Sequence, residues 1–125
     1  MIIGIGTDII EIKRIQEAVL KTPSFLNKIF THQERSYFKS KSNRAETIAG
    51  IFAAKEAVSK ALGTGFRQFS PSDIEIIPDK LGKPEVYLLN KADELKSTLG
   101  ITNLQVSISH CKDYAVAYVI AEGGK

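Results

Sequence analysis

Tryptophan is absent from the 125 residues, methionine occurs only as Met1 and cysteine only as Cys111. A lone thiol cannot close an internal disulfide, so a disulfide-held secreted scaffold is excluded. No run of about 18 apolar residues exists, and no membrane-spanning helix is expected. The opening Met1-Ile2-Ile3-Gly4 has no basic stretch ahead of an apolar one, so a signal peptide is not expected and a cytoplasmic setting is. Aromatics are few, at 8%, and fall mostly in apolar patterns rather than between arginines, so no platform for stacked bases is offered. The charge is nearly even, 17 basic against 14 acidic residues for a net +3. That balance suits an acidic partner but is too weak to mark a nucleic-acid binder.

What is present fits one domain spanning residues 1–125, with a hydrophobic content of 43%. Ile2 to Asp8 reads as a strand, with Ile3, Ile5 and Thr7 alternating with Gly4, Gly6 and Asp8. The two glycines would let another backbone or a ligand approach closely. No third glycine opens a helix at the dinucleotide-binding spacing, so that fingerprint is set aside. Asp8 falls at the expected strand end, where capping a helix or turn is the simplest role. Ile12, Ile15, Val19 and Leu20 then recur with helical spacing, leaving Lys13, Arg14 and Lys21 on the surface. A short helix is expected over Phe25 to Phe30. A capping box, Thr31 to Glu34, opens another helix running to about Ser40.

A long helix follows from about Arg44 to Leu62, with Ile48, Ile51, Phe52 and Val58 for the core and Gly63 as a left-handed cap. The second half is richer in strands. Ile74 to Pro78 and Glu85 to Leu89 form a hairpin across the Asp79-Lys80-Leu81-Gly82-Lys83-Pro84 turn. Asn90 is placed to cap a helix ending at Gly100. Leu104 to Ser109 alternates as a strand, and Tyr114 to Ala121 reads as its buried antiparallel partner. The tail Glu122-Gly123-Gly124-Lys125 is expected to be loose. The fold class is therefore α+β (α/β in composition): a small antiparallel sheet packed against a long central helix.

The stretch that organises the chain is F-A-A-K-E-A-V-S-K-A-L-G-T-G, Phe52 to Gly65. Glu56, Ser59 and Lys60 stand at i, i+3 and i+4 and share a helix face. Two readings are open. Glu56 and Lys60 in that order make an ordinary surface ion pair, about 0.2–0.5 kcal/mol. Alternatively, the face holds a hard cation and a phosphate side by side. Asp8, Glu56 and His110 all fall at or near the ends of apolar elements, where scaffolds present functional groups. Two carboxylates suffice for Mg²⁺, which keeps several positions for water and phosphate oxygens. Lys60 beside them would offer charge to a phosphate, and His110 either touches one or is structural.

Three motifs carry a resemblance over nearly the whole length: G-I-G-T-D-I (Gly4 to Ile9), the Phe52 to Gly65 stretch, and V-S-I-S-H (Val106 to His110). In their order and spacing the chain resembles holo-acyl-carrier-protein synthase, the small trimeric class of phosphopantetheinyl transferases. The resemblance implies Mg²⁺-dependent transfer of 4'-phosphopantetheine from coenzyme A to a serine of apo-acyl carrier protein, releasing adenosine 3',5'-bisphosphate, in fatty acid biosynthesis. It puts the metal on Asp8 and Glu56, catalysis on Glu56 and Lys60, and the pyrophosphate on Lys60. It puts coenzyme A near Ser59, Gly63, Gly65, the Gly82-Lys83-Pro84 turn and His110. Arg14, Lys21 and Lys28 would grip the carrier protein, the two lysines standing where arginines are common and lacking the bidentate fork. It also implies a homotrimer with sites between subunits. Ile51, where arginine is frequent, and Cys111, where threonine is common, depart from the pattern; Arg44 is the candidate replacement cation. The same acids and lysine would also serve a metal-dependent nucleotide phosphohydrolase, which is the alternative.

Overall fold

The computed structural model describes residues 1–124. The chain begins with strand β1 (Ile2–Glu11), followed by helices α1 (Ile12–Lys21), α2 (Phe25–Ile29), α3 (His32–Ser40) and α4 (Ala45–Ala61). Two 3-10 turns, Gly65–Arg67 and Pro71–Asp73, lead into strands β2 (Ile74–Pro78) and β3 (Pro84–Leu88). Helix α5 (Asn90–Leu99) and the long strands β4 (Ile101–His110) and β5 (Tyr114–Gly123) complete the fold. One antiparallel sheet has the order β1-β5-β4, and β2 and β3 form a separate hairpin. The expected architecture is therefore the observed one.

Helix α4 is the axis. Its residues Ile48, Ala49, Ile51, Ala53, Ala54, Ala57, Val58 and Ala61 are all buried, so apolar positions run almost around its circumference. A helix apolar on all sides must be wrapped rather than laid on a surface. The sheet covers one side, and α1 and the β2–β3 hairpin pack on others. Alanine and glycine set the closeness of the sheet contact. A Cβ on Gly4 would overlap the carbonyl of Ala61, and one on Gly6 the carbonyl of Ala57. The helix thus rests on bare strand backbone. Phe30 and Phe38 meet edge to face at 4.8 Å and close the far side of the core. Truncating either ring to alanine would cost about 3–5 kcal/mol.

Four details differ from expectation. Strand β1 continues to Glu11, because Ile9, Ile10 and Glu11 pair with Val116, Ala115 and Tyr114, so Asp8 lies inside the strand rather than at its end. Leu20 is exposed despite its apolar spacing. Asn90 does not cap α5: it is the first helical residue at φ +52°, and its amide donates to Asp73. The tail is partly ordered, since Glu122 and Gly123 belong to β5 and the Gly123 amide donates to the Met1 carbonyl at 2.9 Å. Lys125 lies outside the described residues.

Candidate active site

Along β1 the residues facing α4 are Gly4, Gly6, Asp8 and Ile10, the alternation a pleated strand imposes. The two glycines admit the helix backbone, and the next inward position is a carboxylate. On α4, Ala57 and Ala61 meet the glycines, which turns Glu56 toward the edge where Asp8 stands. Asp8 and Glu56 line one open cleft of about 580 Å³, with Ile9, Ile10, Glu11, Arg14, Phe52 and Tyr114. No helix of the described residues is long and apolar enough to cross a membrane.

Lys60 completes this cleft from the next turn of the helix. Its ammonium donates to the Thr7 carbonyl at 2.9 Å and lies 3.4 Å from Asp8 Oδ1. The simple reading of Glu56 and Lys60 as a helix-surface ion pair is thereby overturned. Burial pushes the Asp8 carboxyl above its ordinary range, against the opposing pull of Lys60. Glu56 is raised as well, first by burial and then by the negative charge of Asp8. Two partly desolvated carboxylates in one cleft are short of positive charge, and a hard divalent cation would supply it. The donor set is all oxygen and suits Mg²⁺. Among the described residues no cluster of three or more His, Cys, Asp or Glu could hold a metal, so any ion here relies on two protein acids and on other oxygen ligands.

The remaining predicted residues divide. Ser59 is buried and its hydroxyl donates to the Glu56 carbonyl at 2.6 Å, so it does not enter the cleft. This corrects the three-residue face: a serine mid-helix has a ready acceptor one turn back, and burial on the core side leaves it no other. Arg14 reaches the acid cleft from α1, whereas Lys21 and Lys28 are exposed at the ends of α1 and α2 and line no part of it. Gly63 and Gly65 take φ of +85° and +60° just past α4, with open space where a side chain would be. His110 lies at the opposite edge of the sheet, on β4. It lines a second cleft of about 290 Å³ with Tyr37, Ile51, Gly82, Pro84 and Ile108, and Lys83 sits exposed in the turn beside it. Among the described residues this second cleft has no lysine or arginine in its lining, and Arg44 is the N-cap of α4 rather than a wall of it.

Sequence reasoning missed one feature entirely, the pairing of Lys55 with Glu34 at 2.8 Å, both fully buried. Glu34 does form the expected capping box with Thr31, but its second oxygen accepts from the Ile76 amide at 2.7 Å. The only signal was a lysine at an otherwise apolar phase of α4.

Strand β1 with its inward aspartate, and the buried helix with its edge glutamate and lysine, belong to a chain of the phosphopantetheinyl transferase class. The family model of the 4'-phosphopantetheinyl transferase superfamily matches residues 4–119. A holo-[acyl-carrier-protein] synthase of Clostridium novyi is 56% identical over 122 residues, 98% of this chain and 88% of that relative. The acyl carrier protein synthase of Plasmodium yoelii, solved with ADP bound, superposes with a TM-score of 0.91 at 39% identity, covering 100% of this chain and 98% of that one. The Helicobacter pylori holo-[acyl-carrier-protein] synthase, solved in complex with coenzyme A, gives 0.84 at 34% identity over 94% of this chain and 99% of that one. The chain belongs to the holo-acyl-carrier-protein synthases of that superfamily. None of these relatives supports the hydrolase alternative.

Proposed function

We propose that this chain transfers 4'-phosphopantetheine from coenzyme A to a serine of apo-acyl carrier protein, with Mg²⁺ held by Asp8 and Glu56. The observation that carries the reading is the cleft in which those two carboxylates face each other beside Lys60 and Arg14. Coenzyme A in the Helicobacter pylori synthase, a chain of the same fold, supports the donor. The product, a holo-carrier, places the enzyme in fatty acid biosynthesis. The single cysteine is exposed and free, which fits a reducing cytoplasm.

The serine hydroxyl attacks the phosphorus that bears pantetheine. The bond from that phosphorus to the oxygen of the nucleotide phosphate breaks, and adenosine 3',5'-bisphosphate departs with the electron pair. Lys60 is held at the cleft by the Thr7 carbonyl and meets the charge that grows on the leaving phosphate. Glu56, the acid on the helix edge of the cleft, accepts the serine proton. Mg²⁺, when bound, neutralises the pyrophosphate oxygens. Arg14 stands at the mouth of the same cleft, where a bidentate guanidinium grips a carboxylate of the incoming carrier. Lys21 and Lys28 extend this basic surface outside the cleft.

The same reading includes a homotrimer. The outward face of the sheet exposes Ile5 (61%), Ile9 (64%) and Tyr118 (57%), apolar side chains of the kind that subunit contacts cover. The acid cleft lies at the β1 edge, and the His110 cleft at the β4 edge, with β5 between them. A ring of copies, each setting its β1 edge against the next copy's β4 edge, joins the two clefts into one coenzyme A site. In that site the Gly63–Gly65 loop and the Gly82-Lys83-Pro84 turn flank the cofactor.

The test is the intact mass of apo-acyl carrier protein after incubation with this chain, coenzyme A and Mg²⁺. A gain of one phosphopantetheine, abolished by EDTA, is expected. Cleavage of coenzyme A without gain on the carrier would mean hydrolysis. An unchanged carrier together with unchanged coenzyme A would refute the reading.

A further inference from the structure

The Lys55–Glu34 pair touches neither cleft, and no step of the reaction uses it. Its connections are nonetheless extensive. The Lys55 ammonium meets Glu34 Oε1 at 2.8 Å and donates to the Pro71 carbonyl at 2.9 Å and to the Ile74 carbonyl. Its stem and charge lie over the Phe30 ring, 5.5 Å from the centroid. Glu34 in turn accepts from the Thr31 and Ile76 amides, at 2.9 and 2.7 Å. The Thr31 hydroxyl donates to Glu75 at 2.6 Å. Among the described residues no buried side-chain polar atom lacks a partner, so all three donors of the ammonium are matched. One lysine therefore ties α4 to the cap of α3, to the 3-10 turn at Pro71–Asp73 and to the start of β2.

A buried ion pair is a poor way to gain stability, because its desolvation offsets its attraction and an apolar pair of similar volume does as well or better. What it confers here is direction. Successive helix residues are about 100° apart, so Lys55 points nearly opposite to Ala57. Ala57 and Ala61 lie against the glycines of β1, where backbone meets backbone. Lys55 thus pulls on α4 from the side away from the sheet. Glu56 lies between these two directions, about 100° from each, on the edge that carries it to Asp8. With both sides fixed, α4 cannot roll about its axis. Without the tie, the side away from the sheet is held only by apolar packing, which has no direction.

We propose that Lys55 and Glu34 form a positioning pair that fixes the roll of α4 and hence the placing of Glu56 against Asp8 for divalent-cation binding. The inference rests on the two-carboxylate reading of the cleft given above.

The experiment compares wild type, Lys55→Met/Glu34→Gln and the control Ile76→Val, with Mn²⁺ as the probe. Mn²⁺ affinity is read by electron paramagnetic resonance on the protein alone, beside kcat and KM for transfer and the thermal midpoint. The double variant removes both charges together, so neither is left buried without its partner. It is expected to fold, yet to bind Mn²⁺ about tenfold or more weakly and to lose a comparable factor in kcat, in the range seen when a ligand's supporting shell is removed. KM for the carrier is expected to stay within about twofold, because Arg14 is untouched. Ile76→Val loosens the same core without cutting the tie and is expected to keep both Mn²⁺ affinity and kcat. A double variant with wild-type affinity and kcat overturns the proposal, as does a control that loses as much. If the double variant fails to fold, Glu34→Asp decides, because it keeps both charges and shortens the tie by one methylene: weakened Mn²⁺ binding supports the proposal, and unchanged binding overturns it. A wild type that binds no Mn²⁺ and transfers nothing refutes the two-carboxylate reading itself, and the inference falls with it.

Discussion

Lys60 gives its ammonium to Asp8 across the cleft, 3.4 Å away, and not to Glu56 one turn before it on its own helix. The contact joins the third motif residue of α4 to the strand motif and leaves Glu56, among the described residues, without a direct salt bridge. It is half exposed, and exposed pairs add only about 0–1 kcal/mol once solvent screening is counted. Lys60→Met should therefore shift the urea midpoint little. Transfer should fall about 10²-fold or more, because charge on the leaving phosphate goes unmatched. Single-turnover transfer beside an equilibrium unfolding curve checks both halves, and a large stability loss would make Lys60 structural.

Glu56→Gln keeps the shape of the helix edge and removes one negative charge. Turnover should drop about 10²–10³-fold. The metal-free variant should be at least as stable as wild type at pH 7, since the fold disfavours the ionised carboxyl. Near-normal turnover at saturating Mg²⁺ would remove Glu56 from the metal site.

The two raised carboxyls fix a pH dependence with a definite sign. An acid whose folded pKa lies above its unfolded value binds more protons in the folded state, so stability falls as pH rises between the two values. Asp8 and Glu56 both shift upward, chiefly by burial. Their contribution to metal-free stability should be intact below the ordinary carboxylate range and be lost as pH climbs through the raised values. Mg²⁺ affinity should move the opposite way, strengthening over the same interval as both groups lose their protons. Thermal midpoints with EDTA and with saturating Mg²⁺ across that interval should therefore diverge with pH. Parallel curves would mean that the ion binds elsewhere.

Gly6→Ala should be severe. The added methyl would overlap the Ala57 carbonyl, a backbone atom that no rotamer change can move. Overpacking of this kind costs about 1–3 kcal/mol or more, and α4 must lift from the strand to admit it. Mg²⁺ affinity is expected to fall with stability, because the same displacement parts Glu56 from Asp8. A Gly6→Ala protein of normal midpoint and normal activity would contradict the contact.

Arg14→Ala tests the carrier surface. Arg14 lines the acid cleft from α1, so its loss should raise KM for the carrier protein far more than KM for coenzyme A. The reverse pattern would place Arg14 on the nucleotide. Because Lys21 and Lys28 lie outside that cleft, their alanine variants should produce smaller effects that vanish at high salt.

Most elements were legible because their signals are local. The Thr31–Glu34 capping box, the Ile74–Leu88 hairpin and the left-handed glycine at Gly100 each depend on residues close in sequence. The errors arose where a distant partner decided. Strand β1 outran its expected end because β5 offers partners as far as Tyr114, and Asn90 forsook capping for Asp73, 17 residues away. At the candidate site, residue type and motif single out Asp8, Glu56 and Lys60, but not which of them pair. Ser59 looked available by helical phase, and only the packing of α4 showed it facing the core. Lys55 is hard to read from sequence because a charged residue on a helix is normally solvated, and its partner lies on another helix.

The seam between β1 and α4 contains no side chain at Gly4 or Gly6, only main chain against main chain. Such a seam has no graded settings: neither its glycines nor the alanines opposite them have a rotamer to change. Warming cannot widen it by degrees, as it can a contact cushioned by flexible side chains. The spacing of Asp8 and Glu56 is therefore expected to hold until the domain melts, and the upper temperature limits of activity and of the folded state are expected to coincide.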